Sequence, residues 1–466
     1  MPPGGKIPQS DQGWGEKPSC AKIICPARIR GIEILARKSD SEQYIIWLVE
    51  SQLKPAQRKD RIDVLDALRG LAVFGMFMIN IRVFSGYAYY DGESKSNFLL
   101  AGMDAFFDRL HIVLFSGKFY TLFALLFGIG FAMQIVRASS GDHSFILHFS
   151  RRLFFLLLIG TVHLWGIWFS DILVFYALCG YLLLLFRGLT DRGLVWSVIF
   201  LLLIPGFHAW YLYVTDGGYT NILYEWVSDR WMANNLPQAS AGYHSFRMED
   251  IAAVIRDGSW NTVLKFNSIG PLIRIYIIAY DIRIIKILAI FVLGFWIGRN
   301  IINHNLHNNR VFLRNTAITG FLAGLPLNIY FAMDVSTRMD ESYTIVSAEI
   351  LNTFGYISLT SAYAATFALL YQAGLRKFLD WSFNSVGKTA LSNYLLQSLI
   401  GIILFYSAGL GLGEYFGSTM LTIAVIAIFG LQILISNIWL SYFRFGPVEW
   451  IWRVLTYGQY IKNKLQ

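Results

Sequence analysis

Ten long apolar stretches run between about Leu65 and Tyr442, and the segments joining them alternate in the sign of their charge. Each stretch is near the roughly 20 residues that a helix needs to cross about 30 Å of hydrocarbon. Inside hydrocarbon a backbone has to satisfy its own N–H and C=O groups. The expected fold is therefore an all-α, polytopic membrane bundle of about ten transmembrane helices. The stretches fall at about 65–85, 110–136, 153–169, 172–186, 194–215, 284–303, 313–333, 349–371, 386–406 and 416–440. The third and fourth are short and joined only by Ser170 and Asp171, which suggests a tight hairpin rather than two independent rods.

The joining segments sort into two classes. Those beginning at Arg137 (with Arg151 and Arg152), Arg187 (with Arg192), Arg299 (with Arg310 and Arg314) and Arg376 (with Lys377 and Lys388) are basic. The others carry Asp91, Glu93, Asp104 and Asp108; Asp171; Asp334, Asp340 and Glu341; or Glu414. Cytoplasmic loops retain Lys and Arg during insertion, so the basic class is expected inside, with both termini cytoplasmic. Arg58, Lys59 and Arg61 before the first stretch, and Arg444, Arg453, Lys462 and Lys464 after the last, agree with that side. The expected location is a bacterial inner membrane, crossed many times.

Composition excludes other classes. With 55% hydrophobic and only 15% charged residues, the 466-residue chain is too apolar for a soluble domain. Its formal charge of +9 then reads as cytoplasmic-leaflet bias, and no nucleic-acid partner is expected. Cys20, Cys25 and Cys179 form no ligand set, so neither a disulfide framework nor a metal site is expected.

Five regions follow. Residues 1–60 read as a loosely ordered basic arm, or as the product of a start codon set too early; the arm's apolar patch from Tyr44 to Val49 is too short to span. Residues 61–215 form a five-helix half that carries the candidate site, and 284–443 form a second five-helix half. Residues 444–466 are a basic cytoplasmic tail. Between the halves, 216–283 is an extracytoplasmic loop in which Trp226, Trp231, Ile251, Val254, Ile255, Trp260, Val263 and Leu264 recur at mostly helical spacing. Amphipathic helices packed on the bundle or lying in the headgroups are preferred there over a lid.

Ionisable side chains are costly at the bilayer centre, so those inside the spans mark the candidate site. Asp66 and Arg69 are three apart on one helix face, close after Arg61. They form either a structural ion pair beside the headgroups or a cradle for an anionic donor such as a nucleotide phosphate. Asn80 follows in the same span. Lys118 falls in the outer third of the second span, where snorkelling to the interface competes with a catalytic role. His163 lies about mid-membrane in the third, with Asp171 two helical turns further on a similar face. It reads either as a hydrogen-bonded packing residue or as a proton-transferring base. Asn393 and Gln397 share a face of the ninth span and suit interhelical hydrogen bonding. Gly128, Gly130 and Ala132, together with Gly294 and Gly298, suggest close helix contacts. The sequence has no Walker loop, H-E-x-x-H or G-x-S-x-G motif.

Six ordered strings carry a resemblance. They are R-I-D-V-L-D-A-L-R-G-L-A-V-F-G with Asn80, G-K-F-Y-T-L-F-A-L-L-F-G-I-G-F from Gly117, and the run from Arg151 through His163 and Asp171 to Tyr176. V-L-G-F-W-I-G-R ending at Arg299, G-K-T-A-L-S-N-Y-L-L-Q-S from Gly387, and F-G-P-V-E-W-I-W-R-V-L-T-Y-G ending at Gly458 complete the set. Over about residues 61–460 the chain resembles the YeiB-like membrane proteins, which carry domain of unknown function 418. More distantly, its L-D-x-L-R-G string and Asn80 are similar to the first helix of the heparan-glucosaminide acetyltransferase group and the wider transmembrane acyltransferases.

That second resemblance implies transfer of an acyl group from a cytoplasmic thioester to a hydroxyl or amine on the opposite face, with a buried histidine at the centre. In that group the histidine follows the first helix closely. Here the nearest candidate is His111, and assigning the role to His163 is an inference from this chain. The expected machinery is His163 oriented by Asp171, with Asn80 or Lys118 donating to the oxyanion and Arg61, Asp66 and Arg69 at the donor entrance. No tightly bound cofactor is expected, and acyl-CoA is the expected co-substrate. The expected partners are the lipid bilayer, an envelope glycan or lipid-linked acceptor, and a second copy in a homodimer. The alternative is a proton-coupled transporter of a small solute or lipid precursor, with the same polar set as its binding site.

Overall fold

The computed structural model describes residues 27–29, 32–38, 44–50, 62–137, 142–239, 244–304, 306–334 and 342–465. From Asp63 to Tyr457 the regular elements are helices. The first half holds α1 (Asp63–Phe84), α2 (Gly92–Ser96), α3 (Ala101–Leu114), α4 (Lys118–Arg137), α5 (Asp142–Gly166), α6 (Leu173–Leu183) and α7 (Asp191–Val214). Three helices fill the middle region: α8 (Tyr219–Ala233), α9 (Asp250–Asp257) and α10 (Trp260–Tyr280). The second half holds α11 (Arg283–His304), α12 (Arg310–Asp334), α13 (Ser342–Leu370), α14 (Arg376–Leu379), α15 (Ser385–Lys388), α16 (Ala390–Phe405) and α17 (Ser418–Tyr442), and α18 (Pro447–Tyr457) lies in the tail.

Among the described residues, nine helical segments are long and apolar enough to cross a membrane, and Leu173–Phe186 and Ala390–Phe405 are shorter apolar helices. The protein is thus a multi-pass helical bundle, as its apolar pattern predicts. In a separate unit, β1 (Ala27–Ile29), β2 (Ile32–Lys38) and β3 (Tyr44–Glu50) pair antiparallel in that order, and the arm's apolar patch is β3. Arg58, Lys59, Arg61, Asp340 and Glu341 lie outside the described residues.

Ion pairs and hydrogen bonds tie the helix ends together, the end that carries Arg376 and Arg299 being called basic and the end that carries Asp104 and Asp108 acidic. At one end Arg376 pairs with Asp63 (2.8 Å), joining the start of α1 to the segment after α13, and Arg299 reaches the Leu189 carbonyl (2.8 Å). At the other, Asp108 pairs with Arg82 near the end of α1 (2.8 Å). There too, Asp104 accepts the Thr419 N–H at the start of α17 (2.7 Å).

Two expectations about the spans are corrected. The second span, expected as one rod, breaks at Phe115–Gly117 into α3 and α4, because Gly117 takes φ +82° and turns the chain. A side chain at Gly117 would also enter the Tyr356 ring. The other correction is Trp260–Tyr280, which is long and apolar enough to be a span although it falls in the supposed outer loop. It starts beside Gly258, whose carbonyl accepts from Ser407 Oγ (2.7 Å) at the acidic end. The following α11 finishes beside Leu189 at the basic end.

Glycines allow the closest helix contact. Gly128 of α4 meets the backbone of Phe291 and Gly294 on α11, and a Cβ there would collide with that backbone. Gly70 and Gly387 do the same between α1 and the segment around α15. At the acidic end the middle region packs as expected. Trp231, Ile251, Val254, Ile255 and Val263 join Trp168, Phe169, Phe84 and Phe405 in one core, while Trp226, Trp260 and Leu264 face outward.

Candidate active site

The site is made by the hairpin between α5 and α6. Leu173–Phe186 rises only about 21 Å at 1.5 Å per residue, short of the roughly 30 Å of hydrocarbon. The hairpin therefore turns before a full crossing. Gly160 on α5 lets the first turn of α6, at Leu173 and Val174, lie against it. α5 ends as the Ile167 and Trp168 amides both bond back to the His163 carbonyl (2.9 and 2.8 Å), leaving His163 in the last turn of α5.

The turn brings Asp171 back onto His163. The two side chains are almost fully buried, and Nδ1 lies 2.8 Å from Asp171 Oδ1. With an ionised carboxylate, which only accepts, and a neutral ring, Nδ1 would carry the proton and Nε2 would present its lone pair. The second oxygen, Oδ2, accepts the Val174 N–H (2.9 Å) and caps α6. Tyr394 Oη from α16 donates to Oδ1 at 3.5 Å. Arg274 of α10 holds the turn through the Asp171 carbonyl (3.0 Å) and Ser170 Oγ (3.3 Å).

What remains unpaired is informative. Among the described residues, Nε2 of His163 and Nε1 of Trp168 are both buried with no hydrogen-bond partner, and their rings are 6.3 Å apart. One is an acceptor and the other a donor. Buried polar atoms in folded proteins are nearly always satisfied, so a neighbouring acceptor and donor without partners suit a hydroxyl or amine that gives to one and takes from the other.

The other sequence-derived residues scatter. Asn80 is buried and makes no hydrogen bond among the described residues. It stands one turn before Phe84, whose ring packs 4.1 Å from that of Trp168, and it makes no hydrogen bond to the dyad. Lys118 does not snorkel: it is fully buried at the start of α4, donates to the Ile112 carbonyl (2.7 Å) and sits 4.7 Å from the Tyr356 ring centre. Asp66 and Arg69 form the i, i+3 ion pair at the basic end, with Gly387 packed on the Asp66 carbonyl. They are not part of the dyad. Arg61 lies outside the described residues.

Asn393 and Gln397 bond across helices as expected, to Ser436 (3.0 Å) and Gln432 (2.9 Å) of α17. A second charged cluster was not foreseen. Lys286 bridges Asp281 (2.5 Å) and Glu349 (2.6 Å), and Arg283 also binds Asp281 (2.6 Å). Burial opposes charge on Asp281, but Arg283 and Lys286 hold its carboxyl below the usual range.

Fold and site define a polytopic helical membrane protein with a buried histidine–carboxylate pair. Its sequence relatives make this more specific. Uncharacterized protein YxaH of Bacillus subtilis (strain 168) is 32% identical over 428 residues, covering 87% of this chain and 97% of that protein. Uncharacterized protein YeiB of Escherichia coli (strain K12) is 30% identical over 419 residues, covering 85% and 96%. The family model described as "Protein of unknown function (DUF418)" matches residues 297–459. The chain belongs to the YeiB-like, DUF418 family.

Proposed function

We propose that the protein is a transmembrane acyltransferase that moves an acyl group from a cytoplasmic acyl-CoA to an extracytoplasmic envelope glycan or lipid-linked acceptor. The observation that carries this reading is the buried His163–Asp171 pair with Nε2 unpartnered beside the unpartnered Trp168 N–H. An acceptor hydroxyl seated there gives its proton to Nε2 as its oxygen attacks the thioester carbonyl. The C–S bond then breaks, and the thiolate leaves with the proton returned from His163. Asp171 keeps the tautomer fixed and stabilises the imidazolium. Asn80, buried and without a partner nearby, is the candidate donor to the oxyanion.

In this reading the basic end faces the cytoplasm of a bacterial inner membrane, with both termini there, and the acceptor enters from the acidic end. The protein works as a homodimer or alone, without nucleic acid. The test is thiol release from acetyl-CoA or a longer acyl-CoA by purified protein given envelope extract. Release that depends on the extract supports the reading, and none at any acyl length contradicts it.

A second reading, proton-coupled transport of a small solute or lipid precursor, is favoured by the buried Lys286, Asp281 and Glu349 row. It requires uptake into proteoliposomes that persists without acyl donor and collapses with the proton gradient.

A further inference from the structure

We propose that a cleft between α5 and α18 at the basic end binds a phosphate-bearing ligand. The tail of the chain builds it. After α17 the chain turns at Gly446–Pro447 into α18, and Trp452 Nε1 donates to the Arg152 carbonyl (2.9 Å), docking α18 on α5. Between them lies a cavity of about 60 Å³ lined by His148, Arg152, Glu449, Trp452, Arg453 and Tyr457. At about 10–15 Å³ per water, that is room for several waters or one phosphate group.

Charge decides what fits. Glu449 is the carboxylate in the lining, and it is already engaged. Its oxygens accept the Leu391 and Ser392 N–H groups (2.6 and 3.0 Å) and Ser392 Oγ, so its charge caps the start of α16 rather than pairing with the arginines. Arg152 donates to the neutral Gln134 Oε1 (2.9 Å) and lies 4.6 Å from the Trp452 ring centre, and among the described residues it pairs with no carboxylate. A guanidinium has five donors in a planar fork, a geometry that matches phosphate oxygens. Arg453 rests over Phe445 at 4.5 Å and adds a second cation, and the Arg151 guanidinium lies over Gly458 at the rim. His148 stacks near Tyr457 (4.6 Å), giving the cleft an aromatic wall.

Two sources share this chemistry. Ile451 and Leu455 are exposed on α18, which places the cleft beside the headgroup layer and within reach of an anionic lipid phosphate. Alternatively the phosphates of a nucleotide-bearing donor bind here. Arg152 and His163 are eleven residues apart on α5, about 16 Å, so such a donor would extend along α5 toward the dyad. The phosphate site does not depend on the acyl-transfer reading, since no residue of the dyad lines it.

The test uses the full-length protein. Coenzyme A is titrated by calorimetry into protein in phosphatidylcholine nanodiscs. In a second arm, native mass spectrometry reads retention of phosphatidylglycerol against phosphatidylcholine. Saturable coenzyme A binding supports the inference with a nucleotide source, and selective phosphatidylglycerol retention supports it with a lipid source. Arg152→Gln and Arg453→Gln are each expected to weaken the observed binding about tenfold, and Arg152→Lys less. Hydrogen exchange of residues 447–457 in the wild type, expected to slow on ligand addition, guards against variants that fail to fold. Binding of neither ligand, or binding undiminished in both glutamine variants, overturns the inference.

Discussion

Two polar clusters of the bundle differ in how completely their polar atoms are paired. The cluster of Lys286, Arg283, Asp281 and Glu349 has two cations against two carboxylates, and none of its buried polar atoms lacks a partner. The His163–Asp171 cluster is drier, its side chains at most 1% exposed against 28% for Asp281 and 23% for Glu349, yet among the described residues it leaves Nε2 and the nearby Trp168 N–H without partners. A closed network in low dielectric ties elements together, whereas an open one in the same setting is ready to take a ligand. On the proposed function, the first cluster serves stability and the second chemistry.

That division can be broken by exchanging the consequences. His163→Ala should lower acyl transfer per folded molecule by about 10²- to 10⁴-fold, the range of general-base catalysis. If instead it unfolds the protein and leaves the rate per folded molecule unchanged, the division fails. Lys286→Met should do the reverse. It leaves Glu349 without its cation while Asp281 keeps Arg283, and should destabilise by about 1–3 kcal/mol, measured by thermal or denaturant unfolding.

Lys118 sharpens the contrast because it has a carbonyl and a ring but no carboxylate partner among the described residues. Lys118→Met should therefore change stability by only about 1 kcal/mol. Gly117→Val, next to it, forces a β-branched residue into positive φ and against Tyr356. It should destabilise by about 2 kcal/mol by the same measurement.

The smallest effect concerns pH. Burial raises the Glu449 carboxyl above its ordinary range despite the hydrogen bonds from Ser392 and Leu391. Between the ordinary value and the raised one, the folded state holds more proton than the unfolded, so stability falls as pH rises through that window. Glu449→Gln should flatten this dependence by a fraction of a kcal/mol while keeping an acceptor for the start of α16. Unfolding midpoints measured across mildly acidic pH would show it, and an unchanged slope would contradict it.

Much of the bundle was legible because membrane helices announce themselves by length and apolarity. The break at Gly117 was not, since Phe115 and Phe119 keep the run apolar while the backbone turns. α10 was hidden for the opposite reason: Lys265, Asn267 and Arg274 interrupt its apolar run, and Asn267 and Arg274 bond to the α5–α6 turn. His163 and Asp171 were paired correctly by proximity, but they do not meet as two turns of one helix. They meet because the chain reverses at residues 167–172, and that reversal is also what brings Trp168 to the site. The arginine cleft joins α5 to a tail some 300 residues later in the sequence, a separation across which no local pattern could have linked Arg152 to Arg453.

The most direct measurement is thiol release from acyl-CoA by purified wild-type protein and His163→Ala, each with and without envelope extract. Release that requires both the extract and His163 is the predicted result. Equal release by the histidine variant, or none by the wild type at any acyl length, would contradict the assignment of the open dyad as the catalytic base.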